Sequence, residues 1–293
     1  MIYFCADDYG ISKEYNQCIE ECARCGALNK VSVLPNGDLS NLREGFLHSS
    51  VNLALHLNLV EGYPMSSRED LSLILSENGQ FKYSFIGLFL LSLSPKRKQL
   101  EEEIYSEIRS QLRFWKELIG DGKKIFIDSH QHVCMIPLVF NTLIRVIRDE
   151  GIGVDYLRIP REPILPYLLT PYLYPAYTIT GMIKQMLLRI LSRINRRKFR
   201  RTKVRSAYFM GVMLSGKLNK TRVQKLLVHY SKLSAKHGRD IEIGFHPGRS
   251  KSADHLIDGS REDFNKFYSS PWRDIEYETL MSEELQKMIK EGK

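Results

Sequence analysis

Two acids stand side by side in CADDYG (residues 5–10): Asp7 and Asp8 follow directly on the apolar run MIYF. Further along, LHLNL (55–59) offers His56, DSHQHV (128–133) offers Asp128, His130 and His132, and FHPG (245–248) offers His246. One carboxylate with two histidines, Asp8 with His56 and His130, can occupy one side of a divalent ion and leave positions open for water and substrate. An open site of this kind lowers the pKa of bound water and polarises a carbonyl oxygen, which amide or ester hydrolysis requires. A carboxylate off the metal can take the water's proton, and a histidine across the site can protonate the leaving nitrogen. Asp7 and His246 are the candidates for those two roles.

Each piece also has a plainer reading. A lone His56 in a strand is more often a hydrogen-bonded core residue than a ligand. His-x-His in extended chain points both rings the same way, which suits a metal or an ordinary polar network equally. His246, followed by Pro247 and Gly248, can serve as a loop histidine that caps local backbone. Adjacent aspartates after a first strand also suggest a metallophosphatase, but an aspartyl nucleophile wants Asp-x-Asp and this chain reads Asp-Asp-Tyr-Gly. A non-catalytic binding protein that keeps the same residues is the remaining alternative.

The elements that must position these residues alternate from end to end. Strand-like runs are expected at 1–6, 30–35, 51–59, 124–128, 154–159, 207–214 and 240–245, with helical patterns around 12–26, 98–119, 137–150, 180–197, 220–237 and 279–290. That alternation predicts an α/β fold, a distorted (β/α) barrel of about seven parallel strands in a single domain over 1–293. Asp7 and Asp8, Asn36, His56, Ser129 and His130, Arg158 and His246 each fall at the carboxyl end of their strand. There the active site of a barrel or open α/β sheet is built.

Composition narrows the class. With 43% hydrophobic and 26% charged residues the chain is globular, and its start lacks the pattern of a signal peptide, so the cytoplasm is the expected location. Five cysteines form no disulfide framework; Cys18 and Cys22 share a helical face with Tyr15 and Ile19 and read as buried thiols. The net charge is +9, yet residues 189–205 alone hold nine Arg or Lys and no acid, leaving 34 basic against 34 acidic residues elsewhere. The basicity is local, so no nucleic-acid partner is expected.

That basic run ends a 47-residue stretch, 160–206, between the fifth and sixth strands, read as a long insertion or lid. Ile164 to Ile183 carries no charge, but Pro166, Pro171, Pro175 and Gly181 argue against a spanning helix. Met182, Ile183, Met186, Leu187, Ile190, Leu191 and Ile194 then form an apolar stripe beside Lys184, Arg189, Arg193, Arg196 and Arg197. The expectation is an outer barrel helix with a solvated basic edge; the sharper alternative is peripheral membrane contact through 182–205. A homo-oligomer is compatible with either.

In their order, ADDYG (6–10), NG (36–37), LHLNL (55–59), DSHQHV (128–133), LRIPRE (157–162), FHPG (245–248) and SPWRDIEYETL (270–280) make a set that resembles the YdjC-like, chitooligosaccharide-type carbohydrate deacetylases over nearly the whole chain. The resemblance implies a metal-dependent hydrolase that removes acetyl groups from N-acetylated sugars. It implies Asp8, His56 and His130 as metal ligands and Asp7 as base, with Asp128, His132, Arg158 and His246 lining the site; Asn36 is added as a substrate-binding candidate. The cofactor is one divalent ion, magnesium by the resemblance, whereas imidazole ligands favour zinc or another transition metal. Cys134 stands where the family often has a further histidine, a change expected to tune the site. The chain also stops at IKEGK, where relatives usually run on into another strand, and two expectations stand side by side: imperfect barrel closure, or simply a shorter gene.

Overall fold

The computed structural model describes residues 1–46, 49–120, 123–251 and 262–291. Seven strands, β1 (Ile2–Tyr9), β2 (Lys30–Val33), β3 (Asn52–Leu57), β4 (Ile125–Ser129), β5 (Val154–Leu157), β6 (Tyr208–Met210) and β7 (Ile241–Phe245), pair in parallel in the order β5-β4-β3-β2-β1-β7-β6. Helices surround the sheet: α1 (Lys13–Arg24), α2 (Leu42–Phe46), α3 (Phe85–Leu91), α4 (Arg97–Ile119), α5 (Pro137–Asp149), α6 (Ile164–Leu168), α7 (Ile179–Thr202), α8 (Lys220–His237), α9 (Glu262–Tyr268), α10 (Trp272–Met281) and α11 (Glu283–Glu291). The distorted barrel thus takes the form of a curled parallel sheet whose ladder stops at β5 and β6. One isolated parallel bridge, Tyr156 to Arg205, reaches across that gap, with Leu157 N–H donating to Arg205 O at 3.0 Å.

The period of two sorts side chains between the faces of this sheet. Phe4, Ala6, Val31, Val33, Leu55 and Ile127 join the main core beneath the helices. The inner face begins with an apolar layer of Tyr3, Tyr156 and Ala207, against which Phe126 packs. Above it the inner positions are charged: Lys30, Asp128, Arg158 and Glu242 are all buried. A strand buried on both faces usually reads as a continuous apolar run. Here the alternation survives because the inner face holds ion pairs.

Strand ends differ from the expected bounds for identifiable reasons. β3 stops at Leu57 because the Asn58 carboxamide oxygen accepts from the N–H groups of Val60 and Glu61, both at 3.1 Å, and turns the chain. β6 ends at Met210, not 214, because buried Glu162 captures the N–H groups of Gly211, Val212 and Met213 at 2.6, 2.7 and 2.8 Å. Those donors are lost to any ladder. β1 runs the other way, past residue 6 to Tyr9, with an irregularity in its pairing to β2 between Ala6 and Tyr9.

The helix α7 also departs from expectation. Its buried residues are Gln185, Leu188, Leu191, Ser192 and Asn195, three of them polar. Met182, Ile183, Met186, Ile190 and Ile194 face outward, so most of the apolar stripe points away from the core. Among the described residues no helix is long and apolar enough to cross a membrane.

Candidate active site

In a regular strand, consecutive residues point to opposite faces, so Asp7 and Asp8 should be separated by the sheet. The break in pairing between Ala6 and Tyr9, with Asp8 at φ +67°, brings both carboxylates to the same end of the inner face. A non-glycine residue in that left-handed region is held at a cost of about 1–2 kcal/mol. Two glycines let the adjoining loops close behind it: Gly10, at φ +107°, lies against Gly37, where a β-carbon would sit 2.4 Å from the Gly10 carbonyl oxygen. The glycines of ADDYG and NG are therefore two halves of one backbone contact.

Asp8 gathers the histidines. Its Oδ1 lies 2.7 Å from His130 Nδ1 and 3.1 Å from His56 Nε2, and the Tyr268 hydroxyl donates to its Oδ2. Burial by itself would raise the Asp8 pKa, but His130 and His56 hold it well below the usual carboxylate range. His56 Nδ1 lies 2.6 Å from Asp128 Oδ1. Burial opposes a proton on His56, yet Asp128 and Asp8 outweigh it and push the pKa up to about 10. The carboxylate behind Nδ1 aims Nε2 at Asp8, the way an outer carboxylate orients a ligating imidazole.

Among the described residues, three groups of side chains bring ligand atoms close enough to hold an ion: Asp8, His56 and His130; Asp7, His56 and Asp128; and Cys5, Asp128 and Glu242. The last two are already occupied by resident cations. Lys30 Nζ lies 2.9 Å from Asp128 and 2.7 Å from Glu242, and Arg158 donates to Asp7 at 2.7 and 2.8 Å and to Glu242 at 2.6 Å. Among the described residues no Lys or Arg pairs with the first group, and the buried His130 Nε2 has no hydrogen-bond partner. An orphaned imidazole nitrogen beside a carboxylate and a second histidine fits a divalent metal.

Asp7 has a different environment from its neighbour. Burial raises its pKa, but the bidentate Arg158 overrides that and keeps the carboxyl ionised. His246 stands across the site, its Nε2 3.9 Å from Asp8 Oδ2 and its Nδ1 3.8 Å from Glu276. Arg273 and Glu276 fix the backbone of His246: Arg273 donates to its carbonyl at 3.0 Å and Glu276 accepts its N–H at 2.6 Å. The Arg-x-x-Glu segment near the end of the chain thus acts on the histidine of FHPG.

These groups floor a cavity of about 640 Å³. Asp7, Asp8, His56, His130, His132 and His246 line it, whereas Asn36, Asp128 and Arg158 stand outside the lining. Asn36 ties a loop together, donating to the carbonyls of Glu61 and Tyr63 at 3.1 and 2.9 Å. Asp128 and Arg158 support the floor from behind. His132 parts from His130 because the chain after β4 is not extended: Gln131 and His132 take left-handed φ values of 49° and 61° inside a 3-10 turn. The His132 ring instead packs edge-on against Phe209 at 5.7 Å, and burial holds its pKa well below the ordinary value. Cys134 points into the main core and does not line the cavity.

Lys30, Glu242, Tyr268, Arg273 and Glu276 were not singled out as site residues from the sequence. Lys30 and Glu242 carried a usable signal, a charge at an inward position of an alternating strand. The walls come from elsewhere: α3 contributes Phe85 and Ile86, and the 160–206 segment contributes Thr180, Ile183, Lys184 and Leu187 of α7.

Known proteins resemble this chain in sequence and in fold. A carbohydrate deacetylase of Danio rerio is 33% identical over 162 residues, 55% of this chain; the match spans half the length of that relative. Among solved structures, one from Enterococcus faecalis named for cellobiose-phosphate cleavage superposes with a TM-score of 0.63 at 18% identity, covering 99% of this chain and 94% of its own; at that identity the likeness speaks for the fold. The profile of the YdjC-like proteins matches residues 1–291, and the chain belongs to that family.

Proposed function

We propose that the protein is a metal-dependent deacetylase of N-acetylated sugars, with N-acetylglucosamine-type mono- or oligosaccharides as substrates. The observation that carries this reading is the division of the two adjacent aspartates: Asp8 closes on two histidines, one with an orphaned nitrogen, while Asp7 is held off that group by Arg158. Asp8, His56 and His130 would hold the ion, and with two imidazoles in the set a transition ion such as zinc suits the donors better than magnesium. When bound, the ion supplies Lewis acidity toward the acyl oxygen and toward water.

The chain's own residues do the rest. Asp7, ionised and fixed in orientation by two guanidinium hydrogen bonds, accepts the proton of the attacking water. Its pairing with Arg158 lowers its basicity and fixes its direction. His246, with its Nδ1 facing Glu276, donates a proton to the departing amine. Asp128 keeps His56 in its ligating tautomer. The apolar walls from α3 and α7 restrict water to the floor.

Acetate release from N-acetylglucosamine oligomers tests the proposal. Asp7→Asn should lower kcat by about 10²–10⁴-fold while the metal content stays near stoichiometric; Asp8→Asn should lose the metal itself. A metal-loaded protein that frees no acetate from a panel of N-acetylated glycans would refute the reading. Sugar binding with no turnover, equal in Asp7→Asn and the parent, would identify a carbohydrate-binding protein instead.

A further inference from the structure

We infer that the outward face of α7 docks on an anionic lipid surface and presents the cavity mouth to N-acetylated sugars carried by lipids in that surface; the substrate half of this inference rests on the deacetylase reading above. The first support is the inversion of the helix. Ile179, Met182, Ile183, Met186, Ile190 and Ile194 recur at helical spacing on one stripe, and Ile179, Ile183 and Met186 are 78, 63 and 65% exposed. The opposite stripe buries Gln185, Ser192 and Asn195. A helix packed only for this protein's own core would have the reverse assignment. A contiguous exposed apolar surface of this kind marks an interaction site.

Charge says what covers it. The same helix continues into Arg193, Arg196, Arg197, Arg200 and Arg201, none of which pairs with an acid among the described residues, whereas Arg205 beyond the helix is held by Asp155. Apolar side chains followed by unpaired bases complement the acyl boundary and the headgroups of an anionic leaflet. A second copy of this chain packed face to face on α7 would offer a helix without a single acid, so the arginine run would stay unpaired in such a dimer. Because no helix among the described residues is long and apolar enough to span, α7 lies in the plane of the interface.

Position supplies the link to the site. Ile183 belongs both to the exposed stripe and to the cavity lining, and on the other side of the lining Ile86 of α3 is 50% exposed. Leu90 and Leu93 extend that second exposed region. The cavity is therefore polar at its floor and apolar toward its rim, the profile of a sugar headgroup joined to a hydrocarbon chain.

Flotation of the full chain with phosphatidylcholine vesicles, with and without phosphatidylglycerol, tests the docking without turnover. The protein should float with the anionic vesicles and be released by added salt. Each arginine near such a surface contributes about fivefold to partitioning, so Arg197→Gln with Arg200→Gln and Arg201→Gln should lower it on the order of a hundredfold. Met186→Glu with Ile190→Glu and Ile194→Glu should abolish it. In all these variants acetate release from soluble N-acetylglucosamine oligomers should be unchanged, which shows that the fold is intact and keeps a failure of docking distinct from a failure of the deacetylase reading. Intact protein that stays in the buffer layer with both vesicle types overturns the inference. So does a stable dimer in sedimentation equilibrium that the triple Glu variant dissolves.

Discussion

The inside of the curled sheet and the outside of α7 break the same rule in opposite directions. Within the sheet, Lys30, Asp7, Asp128, Arg158 and Glu242 are removed from water; on α7, isoleucines and methionines are left in it. The difference lies in compensation. Arg158 alone reaches Asp7, Asp128 and Glu242, Lys30 reaches Asp128 and Glu242, and the Ser32 hydroxyl adds a 2.6 Å hydrogen bond to Asp128. Each interior charge finds its partner inside the molecule. The exposed stripe of α7 has no such partner in the described structure, so its explanation has to come from outside. A violation that is balanced internally builds a site; one that is unbalanced marks a surface.

The strongest way to break this comparison is to remove the interior compensation. Arg158→Met should cost about 3–5 kcal/mol in urea unfolding, because three buried carboxylates lose a shared cation. If the variant matched the parent, the interior network would be solvated and the contrast would fail. A smaller effect separates the two faces of α7. Leu188→Ala, on the buried side, should cost about 2–5 kcal/mol, whereas Ile190→Ala should stay within about 0.5 kcal/mol. Equal costs would mean that the helix packs on both sides.

The smallest effect, about 1.4 kcal/mol per pH unit, is the pH dependence of metal binding. A proton and an ion compete for the same His56 nitrogen, and the metal-free pKa of that histidine is pushed up to about 10. Affinity for zinc should therefore rise with pH, about tenfold per unit between roughly pH 6 and 9, as the competing proton is removed. Calorimetric titration across that range measures it. A flat profile would show that His56 is not a ligand.

Much of the site was legible in the chain because barrels gather strand ends on one edge. His56, His130 and His246 were found that way, and the structure brings all three around Asp8. Lys30 and Glu242 were passed over because a charge in a short apolar run looks like a strand boundary until the register of neighbouring strands aligns it with a counterion. Asn36 sat at a strand end like the others but hydrogen-bonds a loop. The helices α2, α3, α6 and α9, of five to seven residues, were missed as short, and so was the ten-residue α10, which the expected helix at 279–290 touches only at its end.

By itself the sequence determined the alternation of strands and helices, the period-two division of each strand, and the acids and imidazoles at the strand ends. Those depend on spacing along the chain, which sequence records directly. Tertiary structure decided three things. A bulge with Asp8 in the left-handed region turned two neighbouring acids to one side, and a left-handed turn took His132 away from His130. The packing of α7 sent its isoleucines outward. Periodicity defines the faces of an element, but which face is buried is set by what packs against it, and only the folded chain supplies that neighbour.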